Sequence, residues 1–275
     1  MTSEKRLALV AGSGALPPRA IAAAREAGWQ VRVLSLIQRD DLADENPFQI
    51  KVSRPDQVLK EIRAFKATHV CAVGAMHLGD RDRETLAAFA GDAERENRGD
   101  GKLSQLGGQL LKMLGIPFIG VHEIVSDLLA PEGVLGAVLP DEFLETTMRH
   151  AFSAVRRAGE LDLGQALVVS GARIVATEDI AGTDALIARI EAFRQNGLIG
   201  EGAARLVLAK SSKPGQPVHI DLPAIGPDTI TSATAAGIVG IVVEAGRTLL
   251  IEREELISAA DRAGIAIMGI RVDNG

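Results

Sequence analysis

The N-terminal half of the chain alternates short apolar runs with stretches of helical periodicity, and this alternation constrains the fold most. The apolar runs cover residues 7–11, 31–36, 69–75 and 116–120. Helical periodicity covers residues 16–28, 54–66 and 83–95. Strands that alternate with helices of this length imply crossover units. We therefore predict an α/β protein whose N-terminal half is a parallel sheet covered on both faces.

The C-terminal half has a different texture. Helices are predicted at 141–158, 183–195 and 253–263, and strands at 166–169, 173–177, 205–209, 238–243, 248–251 and 265–270. A tight turn at Ser170 and Gly171 is expected to join two of these strands. Pro and Gly interrupt the pattern near 131–140, where a domain boundary is expected. The mixture predicts an α+β domain, and the sequence leaves its strand order open.

Composition and charge exclude several classes of protein. A formal net charge of −6 argues against a nucleic-acid binder, although a local basic cluster could still hold an anionic ligand. The only cysteine, Cys71, cannot form an intrachain disulfide and is interpreted as a buried residue of a strand in a cytoplasmic protein. The five histidines show no HxxxH or HxH spacing, which argues against a zinc site. No apolar run approaches the ~20 residues that span a bilayer.

A Gly-Ser-Gly motif follows the first predicted strand. Glycines there let backbone N–H groups approach a phosphate at the positive end of a helix. The dinucleotide fingerprint is incomplete, because Pro17 replaces its third glycine and 31–36 ends without an acid for a ribose hydroxyl. Prolines also suit a helix start, so a structural role stays open. The candidate substrate-binding residues are Gly12, Ser13, Gly14 and Ala15.

Two other segments combine acids with strand ends. Residues 80–83 form a dense charge run that is more simply a solvated helix start than a ligand site. Residues 178–184 carry three carboxylates and a threonine between a strand and a helix. Thr183 could cap that helix and Asp184 could oppose its dipole, but capping leaves Glu178 and Asp179 unexplained.

Residues 210–216 directly follow another predicted strand. Two lysines, two hydroxyls and a glycine in seven residues suit the anchoring of phosphate oxygens. Asp221 then stands between apolar residues just before a proline, where no helix cap requires a carboxylate. A pyrophosphate hydrolase needs hard oxygen ligands for Mg²⁺ or Mn²⁺, and cations to balance the phosphate that leaves. Asp228 and Thr229 are interpreted as a helix N-cap pair, while Glu244 and Arg247 stay undecided between structure and function.

The order of these segments carries a resemblance. Residues 161–165, 178–184, 210–216, 221–229 and 244–246 follow one another as in the LpxI-type UDP-2,3-diacylglucosamine pyrophosphatases of lipid A biosynthesis, which the chain resembles from residues 12–17 to its C-terminus. The resemblance implies a Rossmann-like N-terminal domain at 1–131, a linker at 132–140 and a C-terminal catalytic domain at 141–275, with the active site at their junction. Pro217 and His219 depart from the family pattern, which has an acid and an arginine there.

The resemblance also implies the reaction. Water would attack the sugar-side phosphorus of UDP-2,3-diacylglucosamine and release UMP and 2,3-diacylglucosamine 1-phosphate (lipid X). The expected cofactor is Mg²⁺ or Mn²⁺, and the expected assembly is a homodimer. Contact with the inner membrane is left open, and residues 124–139 could line an acyl groove or belong to a core or linker. The alternatives are an NAD(P)- or nucleotide-sugar-dependent oxidoreductase and a non-catalytic nucleotide or lipid carrier.

Residue roles follow from the motifs and the resemblance together. Asp221 is expected to be essential, as a metal ligand or by positioning water, with Lys210 and Lys213 balancing charge on the diphosphate. Glu178 is the second candidate metal ligand. The remaining candidate substrate-binding residues are Gln165, Thr183, Asp184 and Gln216.

Overall fold

The computed structural model describes residues 4–76, 79–89, 115–200, 205–213, 219 and 222–272. Tertiary contacts divide the chain into two units. Unit 1 comprises Met1–Ser126 with Gln216–Asp221, and unit 2 comprises Asp127–Gly215 with Leu222–Gly275. A short segment after residue 215 is thus grouped with the N-terminal part of the chain. The α/β class predicted from the sequence is confirmed.

Unit 1 is built on a parallel sheet, as the strand–helix alternation predicts. Its strands are β1 (Arg6–Ala11), β2 (Gln30–Ser35), β3 (Phe48–Gln49) and β4 (His69–Val73), in the order β3-β2-β1-β4. Its helices are α1 (Leu16–Glu26), α2 (Pro55–Ala64) and α3 (Asp80–Phe89). All strand pairs in this sheet are parallel. The 3₁₀ turns Asp40–Glu45 and Val121–Glu123 and the two-residue β3 are too short for periodicity to reveal.

Two predicted elements of unit 1 differ in the structure. The helix predicted at 83–95 begins at Asp80, so the charge run 80–83 is a helix start, and its predicted end lies outside the described residues. The strand predicted at 116–120 is reduced to one parallel bridge between Phe118 and Val70. Pro117 has no N–H to donate and contributes only its carbonyl, which accepts from the Val70 N–H at 3.0 Å.

Cys71 lies in the middle of β4 and is fully buried, which confirms its interpretation as a small apolar core residue. Burial, together with the nearby negative charge of Glu123, raises the pKa of its thiol to about 12. The thiolate is the reactive form of cysteine, so this thiol is chemically quiet in the folded protein.

Unit 2 is built on a six-stranded mixed sheet. Its strands are β5 (Gly133–Leu135), β6 (Ala166–Ser170), β7 (Arg173–Thr177), β8 (Leu206–Lys210), β10 (Ile238–Glu244) and β12 (Ala266–Ile270), in the order β5-β12-β10-β8-β6-β7. The central strands β8, β10 and β12 are parallel, while β5 and β6 run antiparallel to their neighbours. A separate pair joins β9 (Ala224–Ile225) to β11 (Leu249–Leu250). The hairpin turn between β6 and β7 is formed by Gly171 and Ala172, one residue later than predicted.

Helices cover both faces of this sheet. The helices are α4 (Glu142–Glu160), α5 (Gly182–Gln195), α6 (Pro227–Ala235) and α7 (Arg253–Ala263). Along β8, Val207 and Ala209 pack with α4, whereas Leu206 and Leu208 pack with the other three helices. Successive side chains of a strand point to opposite faces, so this alternation builds one apolar core on each side of the sheet.

The stretch expected to be a linker or acyl groove contributes to unit 2. Its residues 133–135 form β5, which pairs with β12. Leu128, Ala130 and Leu135 are buried and contribute to the core, whereas Val134 and Leu139 of the same stretch are exposed. Among the helices of the described residues, none is both long and apolar enough to cross a membrane.

Candidate active site

Most of the candidate residues of the C-terminal half meet at one edge of the unit 2 sheet. The register places Lys210, at the end of β8, beside Ala166 of β6 and Val243 of β10. Because β6 runs antiparallel to β8, Gln165 just before β6 lies next to Ser211, whose N–H donates to the Gln165 carbonyl at 3.0 Å. This edge carries the carboxyl ends of the parallel strands, where open α/β sheets bind ligands.

Lys210 is a buried cation, with only 6% of the residue exposed. Its Nζ donates to the Ala224 carbonyl oxygen at 2.9 Å. A buried charge is tolerated only where hydrogen bonds and opposite charges replace water. Lys213, three residues later, donates from Nζ to Asp162 Oδ1 at 2.7 Å. The two lysines of this edge are therefore ordered by the protein rather than spread into solvent.

Glu244, at the end of β10, is almost fully buried and gathers the hydroxyls that follow β8. Its Oε2 accepts from Ser211 Oγ at 2.7 Å, from the Ser212 N–H at 2.9 Å and from Ser212 Oγ at 2.8 Å. Arg247 lies 3.5 Å from the other carboxylate oxygen and donates to Ser212 Oγ at 2.8 Å. Glu244 thus has a structural role in holding the strand end that carries Lys210.

Glu178, which sequence reasoning proposed as a metal ligand, is engaged within its own loop. Its Oε2 accepts from the Gln165 N–H at 2.9 Å, and its Oε1 accepts from Thr183 Oγ1 at 2.6 Å. The side-chain Oε1 of Gln165 is buried and has no hydrogen-bond partner among the described residues. A buried acceptor of this kind is uncommon and suits a donor from a bound molecule.

The capping interpretation of Thr183 is wrong, because its hydroxyl donates to Glu178 instead. The residue at the N-cap of α5 is Ala181, which makes no side-chain cap, while Asp184 lies exposed in the first turn as expected. Asp179, which the sequence left unexplained, binds Arg189 at 2.6 Å and accepts from the Ala181 N–H. The hydrogen bond from Arg189 and the one from Ala181 lower the pKa of Asp179.

The interpretation of Asp228 and Thr229 as an N-cap pair is also corrected. Gly226 is the N-cap of α6, with Pro227 at the first helical position. Thr229 Oγ1 accepts from the Gly226 N–H at 3.2 Å, so it acts from inside the first turn. Asp228 lies in that turn, where its charge opposes the helix dipole.

Asp221 and Gln216 lie outside the described residues, so their proposed roles stay predictions. Within 214–221 the structure describes only His219.

The glycine loop of unit 1, residues 12–15, makes its main contacts with other residues of unit 1. A Cβ on Gly12 would lie 2.3 Å from the Ala75 carbonyl oxygen, and a Cβ on Gly74 would lie 2.3 Å from that of Ser13. Ser13 and Ala75 also exchange backbone hydrogen bonds of 2.9 and 3.0 Å. The glycines therefore allow two loops to pack closely, a role that the sequence motif did not reveal.

Arg39 closes this loop from the other side. It donates to the Gly12 carbonyl at 2.6 Å and to the Gly14 carbonyl at 2.8 Å, and it pairs with Asp41. The first turn of α1 contains Pro17 and Pro18, which have no N–H groups to offer a phosphate. β2 ends at the buried Ser35, with no acid for a ribose hydroxyl, which disfavours a dinucleotide site.

A second cluster, His122, Glu123 and His219, was missed by sequence reasoning. His219 Nδ1 lies 3.0 Å from Glu123 Oε1, although the two residues are 96 positions apart. The His122 and His219 rings stack at 6.2 Å. Burial lowers the pKa of His122, although the negative charge of Glu123 acts in the opposite direction and raises it. At Glu123, burial would raise the pKa, but hydrogen bonds from Gly120 and His219 lower it overall. Spacing along the chain cannot detect a cluster that only the tertiary fold assembles.

Comparison with known proteins covers both units. A family model for the LpxI N-terminal domain matches residues 6–128, and a model for the LpxI C-terminal domain matches residues 131–268. The chain is 33% identical over 274 residues to a protein of Caulobacter vibrioides named UDP-2,3-diacylglucosamine pyrophosphatase LpxI, covering 97% of this chain and 98% of that protein.

Proposed function

The chain belongs to the LpxI family, and on that premise we propose that it hydrolyses the pyrophosphate of UDP-2,3-diacylglucosamine. The proposed products are UMP and 2,3-diacylglucosamine 1-phosphate. Water adds to the sugar-side phosphorus, the bond from that phosphorus to the bridging oxygen breaks, and UMP leaves with the bridging oxygen. The proton of water passes to a base, for which Asp221 is the candidate.

The observation that carries the proposal is the buried Lys210 at the carboxyl edge of the unit 2 sheet, with the hydroxyls of Ser211 and Ser212 beside it. An ammonium group held out of water interacts with a diphosphate more strongly than an exposed one. Lys213, which follows on the same segment, supplies a second positive charge. Such charges stabilise the negative charge that grows on UMP as it leaves.

The neighbouring loops supply polar groups for the rest of the substrate. Gln165 Oε1, the buried acceptor, is proposed to accept from a hydroxyl or N–H of the nucleotide or sugar. Glu178 and Thr183 hold each other and fix the Gln165 backbone, so their contribution is positioning. Asp184 and Gln216 remain candidates for direct contact, and residues 12–15 are proposed to have a secondary role toward the substrate.

Mg²⁺ or Mn²⁺ is proposed as the cofactor. Mg²⁺ usually keeps several waters and binds through one or two carboxylates together with substrate phosphates. Asp221 is proposed as a ligand of the ion, whereas Glu178, the second ligand expected from the sequence, has both carboxylate oxygens engaged with Gln165 and Thr183 and is proposed to position its loop. When bound, the ion would neutralise phosphate charge and polarise the phosphorus.

Exposed apolar residues lie beside the same edge and could contact the lipid part of the substrate. Ile180 is fully exposed, Leu161 is 72% exposed and Leu163 is 53% exposed. Their two loops touch, because Gly164 packs against Glu178. We propose that these side chains contact the lipid phase that carries the substrate, which would place a cytoplasmic protein peripherally on the inner membrane. We also propose a homodimer, which light scattering after size-exclusion chromatography would test.

The deciding experiment is a product assay with UDP-2,3-diacylglucosamine. We expect UMP and the sugar 1-phosphate with Mg²⁺ or Mn²⁺, and neither product with EDTA. Asp221→Asn should lower kcat by about 10²–10⁴-fold, the range for loss of a positioned acid or base, with circular dichroism unchanged. Asp228→Asn, in the first turn of α6, is the matched control and should keep kcat within about twofold of wild type.

Substrate binding without metal-stimulated UMP release would instead favour a carrier. An Asp221→Asn enzyme that turns over at the wild-type rate would remove the assignment of Asp221 while leaving the reaction intact.

A further inference from the structure

Unit 1 contains a cluster that the proposed hydrolysis does not use. His122 and Glu123 lie in the 3₁₀ turn Val121–Glu123, and His219 lies on the segment grouped with unit 1. Each residue offers one ligand atom, and these atoms all lie within 4.8 Å of one another. We propose that His122, Glu123 and His219 bind one divalent transition-metal ion, with Zn²⁺ as the representative case.

The donor set matches this class of ion. Two imidazole nitrogens and one carboxylate oxygen are common zinc ligands, at about 2.0–2.2 Å from the metal, and a fourth position is often left to water. Adjacent ligands on a tetrahedral ion are then roughly 3.3 Å apart, by the same bond lengths. The 3.0 Å between His219 Nδ1 and Glu123 Oε1 is close to that spacing. All the ligand atoms lie within 4.8 Å of one another, so coordination needs side chains to move by no more than an ångström or two.

The site is partly preorganised by the backbone of its own turn. The Gly120 N–H donates to Glu123 Oε1 at 2.7 Å and fixes the carboxylate. The His122 ring lies directly over Gly120, where a Cβ would come within 2.3 Å of the imidazole. Outer contacts that orient ligands are typical of metal sites. His122 Nδ1 is buried and has no hydrogen-bond partner among the described residues, so the imidazole has an unused nitrogen in a protected position.

The ligand chemistry separates this site from the proposed cofactor site. Mg²⁺ takes oxygen ligands and dehydrates reluctantly, whereas imidazole suits Zn²⁺, Co²⁺, Ni²⁺ and Cu²⁺. The inference therefore stands on unit 1 alone and needs neither the hydrolysis nor the roles of Lys210 and Asp221. Because His219 lies two positions before Asp221, a bound ion would tie that segment to the 120–123 turn.

The test is metal binding to the full chain after EDTA treatment and dialysis. Zn²⁺ is titrated against a competing chelator, and Co²⁺ is followed by its visible absorption bands, both with millimolar Mg²⁺ present. We expect one ion per chain, and affinity lowered on the order of 100-fold or more in Glu123→Gln and in His219→Gln, since even outer-shell changes cost 10–100-fold. His150→Gln, at an exposed histidine of α4, is the control and should bind like wild type.

A thermal shift provides a second readout, because an ion that binds only the folded chain raises its Tm. Zn²⁺ should raise the Tm of wild type and of His150→Gln, but not that of Glu123→Gln. The proposal is overturned if wild type binds no stoichiometric ion, if Mg²⁺ displaces it, or if the two ligand variants bind as tightly as wild type. UMP release in Mg²⁺ is measured separately, so a failed hydrolysis assay would leave this result unaffected.

Discussion

The carboxyl edges of the two sheets occupy equivalent positions in their units but are formed by different kinds of residue. In unit 1 the edge is a glycine loop whose close contacts are to its own backbone and to Arg39. In unit 2 the edge carries a buried lysine, a buried glutamate and two buried hydroxyls. The first arrangement uses small residues to pack two loops. The second keeps charged groups out of water, and burial of charge does not by itself stabilise a fold.

This difference indicates where the chemistry lies. A buried charge is retained against its desolvation cost when it has a structural partner or a functional task. The glycines of unit 1 are accounted for by packing, while unit 2 has a buried cation, Lys210, and a buried Gln165 side-chain oxygen with no hydrogen-bond partner among the described residues. The edge of unit 2 is therefore expected to dominate catalysis, and the glycine loop to dominate local stability.

The largest expected effect is on catalysis at Lys210. Lys210→Met keeps the apolar stem in its buried place and removes the charge that we propose to face the diphosphate. We expect kcat/KM for UDP-2,3-diacylglucosamine to fall by about 10²–10³-fold, as for loss of one preorganised donor to a developing charge. Steady-state kinetics, with urea unfolding as a check on the fold, measure it.

Ser13→Ala is the counterpart in unit 1, because its hydroxyl makes only a 3.3 Å hydrogen bond to the Ala75 carbonyl. It should raise KM less than about tenfold and leave kcat unchanged, as for a contact made equally in the ground and transition states. If Ser13→Ala lowered kcat/KM as much as Lys210→Met, the two edges would share the chemistry and the contrast drawn between them would be wrong.

The next effect is on stability at the glycine loop. Gly12→Ala and Gly74→Ala each place a Cβ 2.3 Å from a backbone oxygen, and Gly74 also has a φ of +93°. Because backbone must move to relieve the contact, we expect each to lower the free energy of unfolding by about 2–4 kcal/mol. Gly14→Ala, with open space but a φ of +96°, isolates the conformational part and should lower it by about 1 kcal/mol.

Urea unfolding of the three glycine variants measures these values. If Gly12→Ala and Gly74→Ala were no less stable than Gly14→Ala, close packing would not be the reason for the glycines. The glycines would then serve another purpose, such as the close approach of a ligand to the loop.

The longer helices and most of the longer strands were predictable from the sequence, whereas short elements such as β3 were not, and the site contacts were only partly so. Periodicity located strands such as β4 and helices such as α4 because each buries a face that repeats along the chain. Clusters of polar residues at strand ends pointed to Lys210 and Glu178 for the same local reason. The hydrogen bond from Thr183 to Glu178 and the meeting of His122 with His219 depend on loop paths and tertiary contacts, which local patterns do not encode.

A smaller effect is expected at Glu244, the buried carboxylate of unit 2. Glu244→Gln keeps the side-chain shape but replaces three charge-assisted hydrogen bonds with neutral ones and removes the negative charge that lies 3.5 Å from Arg247. We expect the free energy of unfolding to fall by about 1–3 kcal/mol, measured by urea unfolding. Glu160→Gln, at the exposed end of α4, is the control and should change it by less than about 0.5 kcal/mol. Equal stability of the two variants would show that the Glu244 cluster contributes nothing to the edge.

The smallest effect concerns the charge pair that closes the glycine loop. The hydrogen bond from Arg39 lowers the pKa of Asp41, so the folded state holds this carboxylate ionised to lower pH than the unfolded chain does. Its contribution to stability is therefore fully present above the unfolded pKa, about 3.9, and is lost as pH falls through the lower folded value.

The urea midpoint of wild type should exceed that of Asp41→Asn by a constant amount from pH 7 to about pH 5, and the difference should shrink below about pH 4. Because Asp41 is half exposed, this difference should be smaller than that of any glycine variant. A difference that stayed constant below pH 3 would mean that Asp41 acts through its shape rather than its charge, and Arg39 would then hold Gly12 and Gly14 without help from an ion pair.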